Sequence, residues 1–188
     1  MGTLTPWGVA QTSTQLCRGI AEYSTAGHGG IHVSPSLNSQ IHEAWRIESG
    51  WYEEDCDWAI VAWHFPEVFQ EQQATAITSL KHYKPDEYTR VTGQKVKLSE
   101  SHKLQERAFR KMHRNDLVVI AAFGAWHSAV PEGMVGVCAV SGGRDERGHY
   151  DDRGLRNFLV PAEEYQGRGG LPFVVSLERH QEVPKDQF

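Results

Sequence analysis

Cysteine is scarce in this sequence, and no two cysteines form a C-x-x-C pair. The three that occur, Cys17, Cys56 and Cys138, are odd in number and widely spaced, which argues against a disulfide framework. Reduced and partly buried thiols are typical of a reducing compartment, so we expect the protein to be cytoplasmic. The segment MGTLTPWGVAQ has neither the charged region nor the apolar region of a secretory signal, which favours the same location.

Long apolar runs and an excess of positive charge are also missing. No stretch approaches the roughly 18 apolar residues that a membrane-spanning helix needs, so we expect no membrane partner. The 188 residues include 24 acidic and 19 basic side chains, which give a net charge of −5 and no overall basic field for duplex DNA. With 39% hydrophobic residues the chain can build a packed core, and its length fits one domain.

The order of apolar and turn residues predicts a single α+β domain with three regions. Residues 1–34 are rich in glycine, serine and threonine and form a predicted β region. Residues 35–114 have helical spacing and form a predicted helical block, whereas residues 115–188 return to strands. We therefore expect an antiparallel sheet formed by the N- and C-terminal β regions, with the helical block between them.

Local signals set the predicted boundaries within these regions. Residues 7–12 predict a strand, and Pro35 begins a helix that Ser49-Gly50 ends. Residues 85–92 predict a helix closed by Gly93, and residues 99–113 predict a charged helix with Met112 among its inward-facing residues. The run LVVIAAF (117–123) predicts a central strand buried on both faces.

The segment STAGHGGIHVS (24–34) is the best local candidate for chemistry. Its three glycines in four positions predict an unusual loop and not a strand interior. In the functional interpretation a histidine acts as acid or base, with a hydroxyl partner, an orienting carboxylate and the amides of Gly29-Gly30 as oxyanion donors. In the alternative the segment is only a tight connection between strands. The candidate catalytic residues are His28, Ser24, Thr25 and Glu54.

Complete motifs for a metal, a cofactor or a nucleotide are missing. His42-Glu43 begins like the zinc-protease motif H-E-x-x-H, but Arg46 stands where the second histidine would be. Neither G-x-x-x-x-G-K-[ST], nor G-x-G-x-x-G, nor the G-x-S-x-G elbow of lipase-like hydrolases occurs. We expect no cofactor and no bound metal.

Two segments are candidates for a binding surface. Trp51 and Trp126 lie at segment ends, where tryptophans can be the exposed anchors of an interface. The polar loop 142–154 is the second candidate. The helix predicted over 99–113 is basic and could contact phosphates, although no aromatic residues alternate with its charges. The candidate binding residues are Trp51, Trp126, His127, Arg144, Asp145 and Arg147.

Several segments are shared, in consistent order, with a known group of domains: TPWGVAQ, STAGHGGI, WYEEDCDWAIVAWHFPE, LKHYKPDEY and VPEGMVGV. With these segments the chain resembles a family of uncharacterised domains of bacteria, phages and plasmids. The resemblance implies no fold, activity or catalytic residue. It implies a cytoplasmic setting linked to mobile genetic elements, in which proteins often act on host defence systems by binding them.

Together these observations favour a non-catalytic binding protein of a mobile element, which inhibits a host defence complex such as a CRISPR effector. The expected partner is a host protein or a ribonucleoprotein complex. Two alternatives stay open. One is a hydrolase or transferase that uses His28, and the other is a nucleic-acid-binding accessory protein that uses the basic helix.

Overall fold

The computed structural model describes residues 2–188 and has both helices and antiparallel sheets, which confirms the α+β class. The chain divides into two compact units, one ending at Gln105 and the other comprising Glu106–Phe188. This boundary falls inside a helix, His102–Met112. None of the helices in the described residues is long and apolar enough to cross a membrane.

The first unit is built on a four-stranded antiparallel sheet in the order β3–β4–β5–β6, beside a two-stranded sheet of β1 and β2. Gly19, with a φ of +92°, forms the turn between β3 and β4. The strands are β1 (Leu4–Thr5), β2 (Gly8–Val9), β3 (Thr12–Cys17), β4 (Ile20–Ser24), β5 (Gly29–Val33) and β6 (Trp51–Glu53).

Helices cover one face of this sheet and form the larger hydrophobic core. Ile31 and Tyr52 of the sheet are buried in this core with Ile60 and Leu80 from two of the helices. Alternate residues of a strand point to opposite faces, so the other face of the sheet carries a different set of side chains. The helices of this unit are α1 (Pro35–Asn38), α2 (Trp58–His64), α3 (Gln73–Tyr83) and α4 (Pro85–Thr92), and α5 (His102–Met112) crosses the boundary between the two units.

Helix α4 confirms its prediction, whereas α1 is much shorter than predicted. In α4 the proline begins the helix and Gly93 follows it in the left-handed conformation, with a φ of +72°. Helix α1 ends at Asn38, whose side chain is held by two hydrogen bonds. Its Nδ2 donates to Ile47 O at 2.9 Å, and its Oδ1 accepts from the Tyr52 hydroxyl at 2.7 Å. These buried hydrogen bonds hold residues 39–50 in turns.

Two predictions for the N-terminal β region are wrong. The strand predicted over residues 7–12 is interrupted, because the Thr5 hydroxyl donates to Gly8 O at 2.8 Å and Gly8 has a φ of +123°. Gly29 and Gly30 lie inside β5 and not in a loop. At Gly30 the Trp7 ring and the Tyr52 carbonyl pack directly on the backbone, where a Cβ would clash with both, and at Gly29 a Cβ would clash with the Glu54 carboxylate.

The second unit has its own sheet and a smaller core. Its five strands pair antiparallel in the order β10–β7–β8–β9–β11, with Val137, Phe158 and Val160 buried. The N- and C-terminal β regions therefore form separate sheets, and the single joint sheet we expected is not found among the described residues. The elements are β7 (Leu117–Phe123), β8 (Met134–Ser141), β9 (Arg156–Pro161), α6 (Ala162–Gln166), β10 (Val174–Val175) and β11 (Gln181–Val183).

Strand β7 and helix α5 are more exposed than predicted. In β7 only Val118 is buried, and β10 pairs with Leu117 and Val118 alone. In α5 the last residue, Met112, is 75% exposed and does not face inward.

Candidate functional site

His28 lies at the tip of the hairpin that joins β4 and β5. Thr25 closes this turn, since its N–H and its hydroxyl both donate to His28 O at 2.7 Å, and the His28 N–H donates back to the Thr25 hydroxyl at 3.2 Å. The side chain of His28 is 60% exposed. The Thr25 hydroxyl therefore holds the turn, as in the tight-connection interpretation.

The carboxylate beside His28 is Glu53 and not the predicted Glu54. Nδ1 of His28 lies 3.7 Å from Oε1 of Glu53, because the register of β5 and β6 places Glu53 opposite Gly30. Burial raises the pKa of the Glu53 carboxyl. Sequence reasoning missed Glu53 because strand register links residues distant in sequence, and WYEED offers two adjacent glutamates.

The other predicted partners of His28 are engaged elsewhere. The Ser24 hydroxyl pairs with the Thr12 hydroxyl at 3.1 Å. Gly29 and Gly30 are paired into the sheet between β4 and β6, so they belong to a ladder and not to an open anion-binding loop. Their predicted role as oxyanion donors does not fit this geometry.

Glu54 lines a separate cleft of about 350 Å³ on the helical side of the first sheet. Glu22 of β4 lines the same cleft, and Trp58 and Phe69 supply apolar wall. His28 is not among the lining residues. The structure pairs His28 with Glu53 and not with Glu54, although the Glu54 N–H donates to O of the neighbouring Gly29 at 3.1 Å.

Trp51 is half-buried in an aromatic cluster on the opposite face of the sheet, and is not an exposed anchor. Its ring centroid lies 5.8 Å from that of Trp7, 5.1 Å from Tyr23 and 4.5 Å from His32. Burial lowers the pKa of His32 within this cluster. The glycine at position 30 creates the space in which Trp7 lies.

Trp126, in contrast, is 76% exposed. It belongs to an aromatic group in the second unit that we call the Trp126 patch, comprising Phe123, Trp126, His127 and Phe188. The rings of Phe123 and Phe188 stack at 5.4 Å. The loop is held by two hydrogen bonds, from His127 N–H to Gly124 O at 3.0 Å and from Ala129 N–H to His127 Nδ1 at 3.3 Å. The structure thus presents the indole on an ordered loop.

Asp145 and Arg144 organise the loop 142–154. Oδ1 of Asp145 accepts the backbone N–H groups of Arg147 and His149, each at 2.8 Å, and these bonds lower the pKa of Asp145. Arg144 donates to Gly148 O at 2.8 Å and to Ile120 O at 3.1 Å. Arg147 is exposed.

The structure brings this loop together with the basic helix predicted from the sequence. Arg144 and Asp145 line a cleft of about 470 Å³ whose other lining residues include Arg110 of α5 and Arg114 just after it. In the described residues no group of three or more histidine, cysteine, aspartate or glutamate side chains could hold a metal ion.

A family model for a domain of unknown function, DUF7007, matches residues 1–114. The chain belongs to this family. The DUF7007 match includes the His28 hairpin, the aromatic cluster around Trp51 and helix α5, whereas the Trp126 patch and the loop 142–154 lie outside it. Membership of an uncharacterised domain family is thereby confirmed. No curated protein and no solved structure matches the chain.

Proposed function

We propose that this DUF7007 protein acts by binding a partner and not by catalysis. The observation that carries the proposal is the exposure of Trp126, whose indole is 76% accessible on a hydrogen-bonded loop. A large aromatic side chain exposed in this way loses the hydrophobic stabilisation that burial would give it. Contact with a partner restores that stabilisation, which is why tryptophan is enriched among the residues that dominate interfaces.

The rest of the Trp126 patch supports this role. Phe123 and Phe188 stack on each other and His127 packs against both the indole and Phe188, so neighbouring aromatic rings restrict the positions open to Trp126. Rigid anchors bind better than mobile ones because less side-chain freedom is lost on association. The partner we propose is a protein surface with an apolar pocket for this indole.

The proposed partner is a host protein or ribonucleoprotein complex in the bacterial cytoplasm, and the proposed role is the inhibition of a host defence complex such as a CRISPR effector. Two observations support it. The segments from STAGHGGI to VPEGMVGV resemble domains of bacteria, phages and plasmids. In addition, the residues predicted to assist His28 are dispersed among a turn, a strand pair and a separate cleft.

The test is affinity capture of partners from a lysate of the bacterial host with three forms of the chain. The forms are the wild type, Trp126→Ala and Leu177→Ala. Leu177 is a matched control, because it is an exposed apolar residue of the same unit, 59% accessible, outside the Trp126 patch. We expect Trp126→Ala to weaken capture of the partner by about tenfold or more and Leu177→Ala to leave it unchanged. Equal capture by all three forms would contradict the proposal.

A hydrolase or transferase at His28 is the second candidate, and the pairing with Glu53 favours it. A carboxylate 3.7 Å from Nδ1 can orient an imidazole that exchanges protons at its other nitrogen. In that case Glu53→Gln and His28→Ala would abolish the biological effect, and Glu54→Gln would leave it intact.

A further inference from the structure

A cleft in the second unit is lined by more arginines than by acids. It lies between the end of α5 and the loop 142–154 and has a volume of about 470 Å³. Its two carboxylates, Asp145 and Asp151, are both hydrogen-bonded within the loop, and these bonds lower the pKa of each. The acids therefore stay ionised at neutral pH, and the cationic lining residues outnumber them by two. The arginines are Arg110, Arg114, Arg144 and Arg153.

Arg110 lines the cleft, and the hydrogen bonding of its Nη2 indicates what the cleft could bind. It is buried and has no hydrogen-bond partner among the described residues. The nearest carboxylate oxygen paired with it, Oε2 of Glu106 on the same helix, is 4.0 Å away and beyond hydrogen-bond distance. A buried guanidinium N–H without an acceptor is unfavourable, so a rotation of this side chain that brings Nη2 to an anion in the cleft is favoured.

The other arginines divide into two kinds. The guanidinium of Arg153 donates two hydrogen bonds to the Asp151 carboxylate within the loop, at 2.9 and 2.8 Å. The guanidinium of Arg144 donates to two backbone carbonyls and lies 4.8 Å from the centre of the Tyr150 ring. Arg110 and the exposed Arg114 are thus the two lining arginines without hydrogen bonds of this kind.

The backbone of the cleft does not supply further donors at its two glycines. The N–H of Gly142 donates to Asp116 O at 2.8 Å and that of Gly143 to Val140 O at 3.2 Å. These two N–H groups are therefore already used, and the guanidinium groups are the charged donors of the lining that suit an anion.

We propose that this cleft binds the phosphate group of a nucleotide or of a single-stranded nucleic acid, with Arg110 and Arg114 donating to the phosphate oxygens. Guanidinium groups pair with phosphate oxygens through two parallel hydrogen bonds. Tyr150, which is 43% exposed and lines the same cleft, offers an aromatic ring for an attached base. The cleft shares no lining residue with the Trp126 patch, so this inference does not depend on the proposed function.

The test measures binding of three probes to the full chain: inorganic phosphate, AMP and a fluorescent twelve-nucleotide oligo-uridine. We expect Arg110→Gln and Arg114→Gln each to weaken binding of AMP or the oligonucleotide by about tenfold. The matched control is Arg168→Gln, because Arg168 is an exposed arginine of the same unit whose guanidinium lies over Tyr165 and outside the cleft. Arg168→Gln should bind as the wild type does.

The three probes separate the possible sources of the phosphate. Tight binding of AMP indicates a nucleotide, whereas binding of the oligonucleotide alone, with an affinity that falls steeply with salt, indicates a nucleic acid backbone. Binding of inorganic phosphate as tight as that of AMP would overturn the role of Tyr150. No binding of any probe, or equal loss in Arg168→Gln, would overturn the site. Trp126→Ala should keep full probe binding, which distinguishes failure of this inference from failure of the partner-binding proposal.

A change in folding is measured separately. The melting temperature of Arg110→Gln without any probe should be close to that of the wild type, because the side chain makes no close hydrogen bond at Nη2. Saturating AMP should raise the melting temperature of the wild type and leave that of Arg110→Gln unchanged. A rise of equal size in both proteins would contradict the site.

Discussion

His64 is a half-buried histidine whose protonation would destabilise the folded state. Its Nε2 accepts the N–H of His42 at 3.0 Å and its Nδ1 lies 2.8 Å from Ile60 O. Both bonds are made when Nδ1 carries the proton and the ring is neutral. Burial lowers the pKa of His64, because the charged ring would lose its contact with water and the His42 bond.

The pH dependence of unfolding follows from this shift. A histidine whose folded pKa lies below its unfolded value of 6.5 binds more protons when unfolded, so stability falls as the pH drops from above 6.5 towards the folded pKa. We expect the melting temperature to fall between pH 7.5 and pH 5.5, and the fall to be smaller in His64→Gln. Met112→Ala, which removes an exposed side chain that does not titrate, is the control and should keep the wild-type fall. An unchanged fall in His64→Gln would contradict this account.

Among single residues, the sequence predicted the exposure of Trp126 correctly and that of Trp51 and Met112 wrongly. Trp126 follows the end of an apolar strand and is exposed as expected, whereas Trp51 was expected to be exposed and is half-buried. The difference arises because Trp7 and Tyr23 pack around Trp51, and only the folded sheet brings these rings together. The sequence likewise did not indicate the pairing of His28 with Glu53, because that pairing depends on the register between β5 and β6.

Strand β5 is the element whose sequence is hardest to interpret without the structure. Its glycines predict a loop, yet they are paired within a sheet. Glycine is required at position 30 because the Trp7 ring lies directly on the backbone there and leaves no room for a side chain. Elements with signals at their own ends were predicted well, as Pro85 and Gly93 show for α4. Elements that depend on distant contacts, such as α1 with its link from Asn38 to Tyr52, were not.

The packing at Gly30 makes a direct prediction. In Gly30→Ala the added Cβ would meet both the Trp7 ring and the Tyr52 carbonyl, so we expect the free energy of unfolding to fall by about 1–3 kcal/mol. Gly27→Ala is the matched control, since a Cβ there meets nothing within 4 Å and the change should be near zero. Urea unfolding of the two variants measures the difference. Equal stabilities would show that the Trp7 contact is not made in solution.

At the scale of the whole molecule, the chain has two hydrophobic cores, one in each compact unit. The DUF7007 match covers the first unit and the beginning of the second, up to residue 114. The α+β class was predictable because strand and helix periodicities alternate along the chain in long blocks. The division of the described strands among three sheets was not, because local periodicity does not say which strands pair.

Separate cores predict separate local responses to core variants. Phe158 is fully buried in the second core, so Phe158→Ala should cost about 3–5 kcal/mol. We expect hydrogen exchange to quicken most in β7, β8 and β9, and less in β4 and β5. Leu80→Ala, in the first core, should give the opposite pattern. Equal quickening in both sheets for both variants would argue that the chain has one cooperative core.

Recognition, and not turnover, is the central claim, and one comparison tests it most directly. The amount of partner retained by His28→Ala and by Trp126→Ala is measured side by side by quantitative mass spectrometry, in cells where the chain is naturally expressed. We predict that His28→Ala retains the partner at the wild-type level and that Trp126→Ala loses it. Retention by Trp126→Ala, together with loss of the biological effect in His28→Ala, would contradict the account and favour an enzyme.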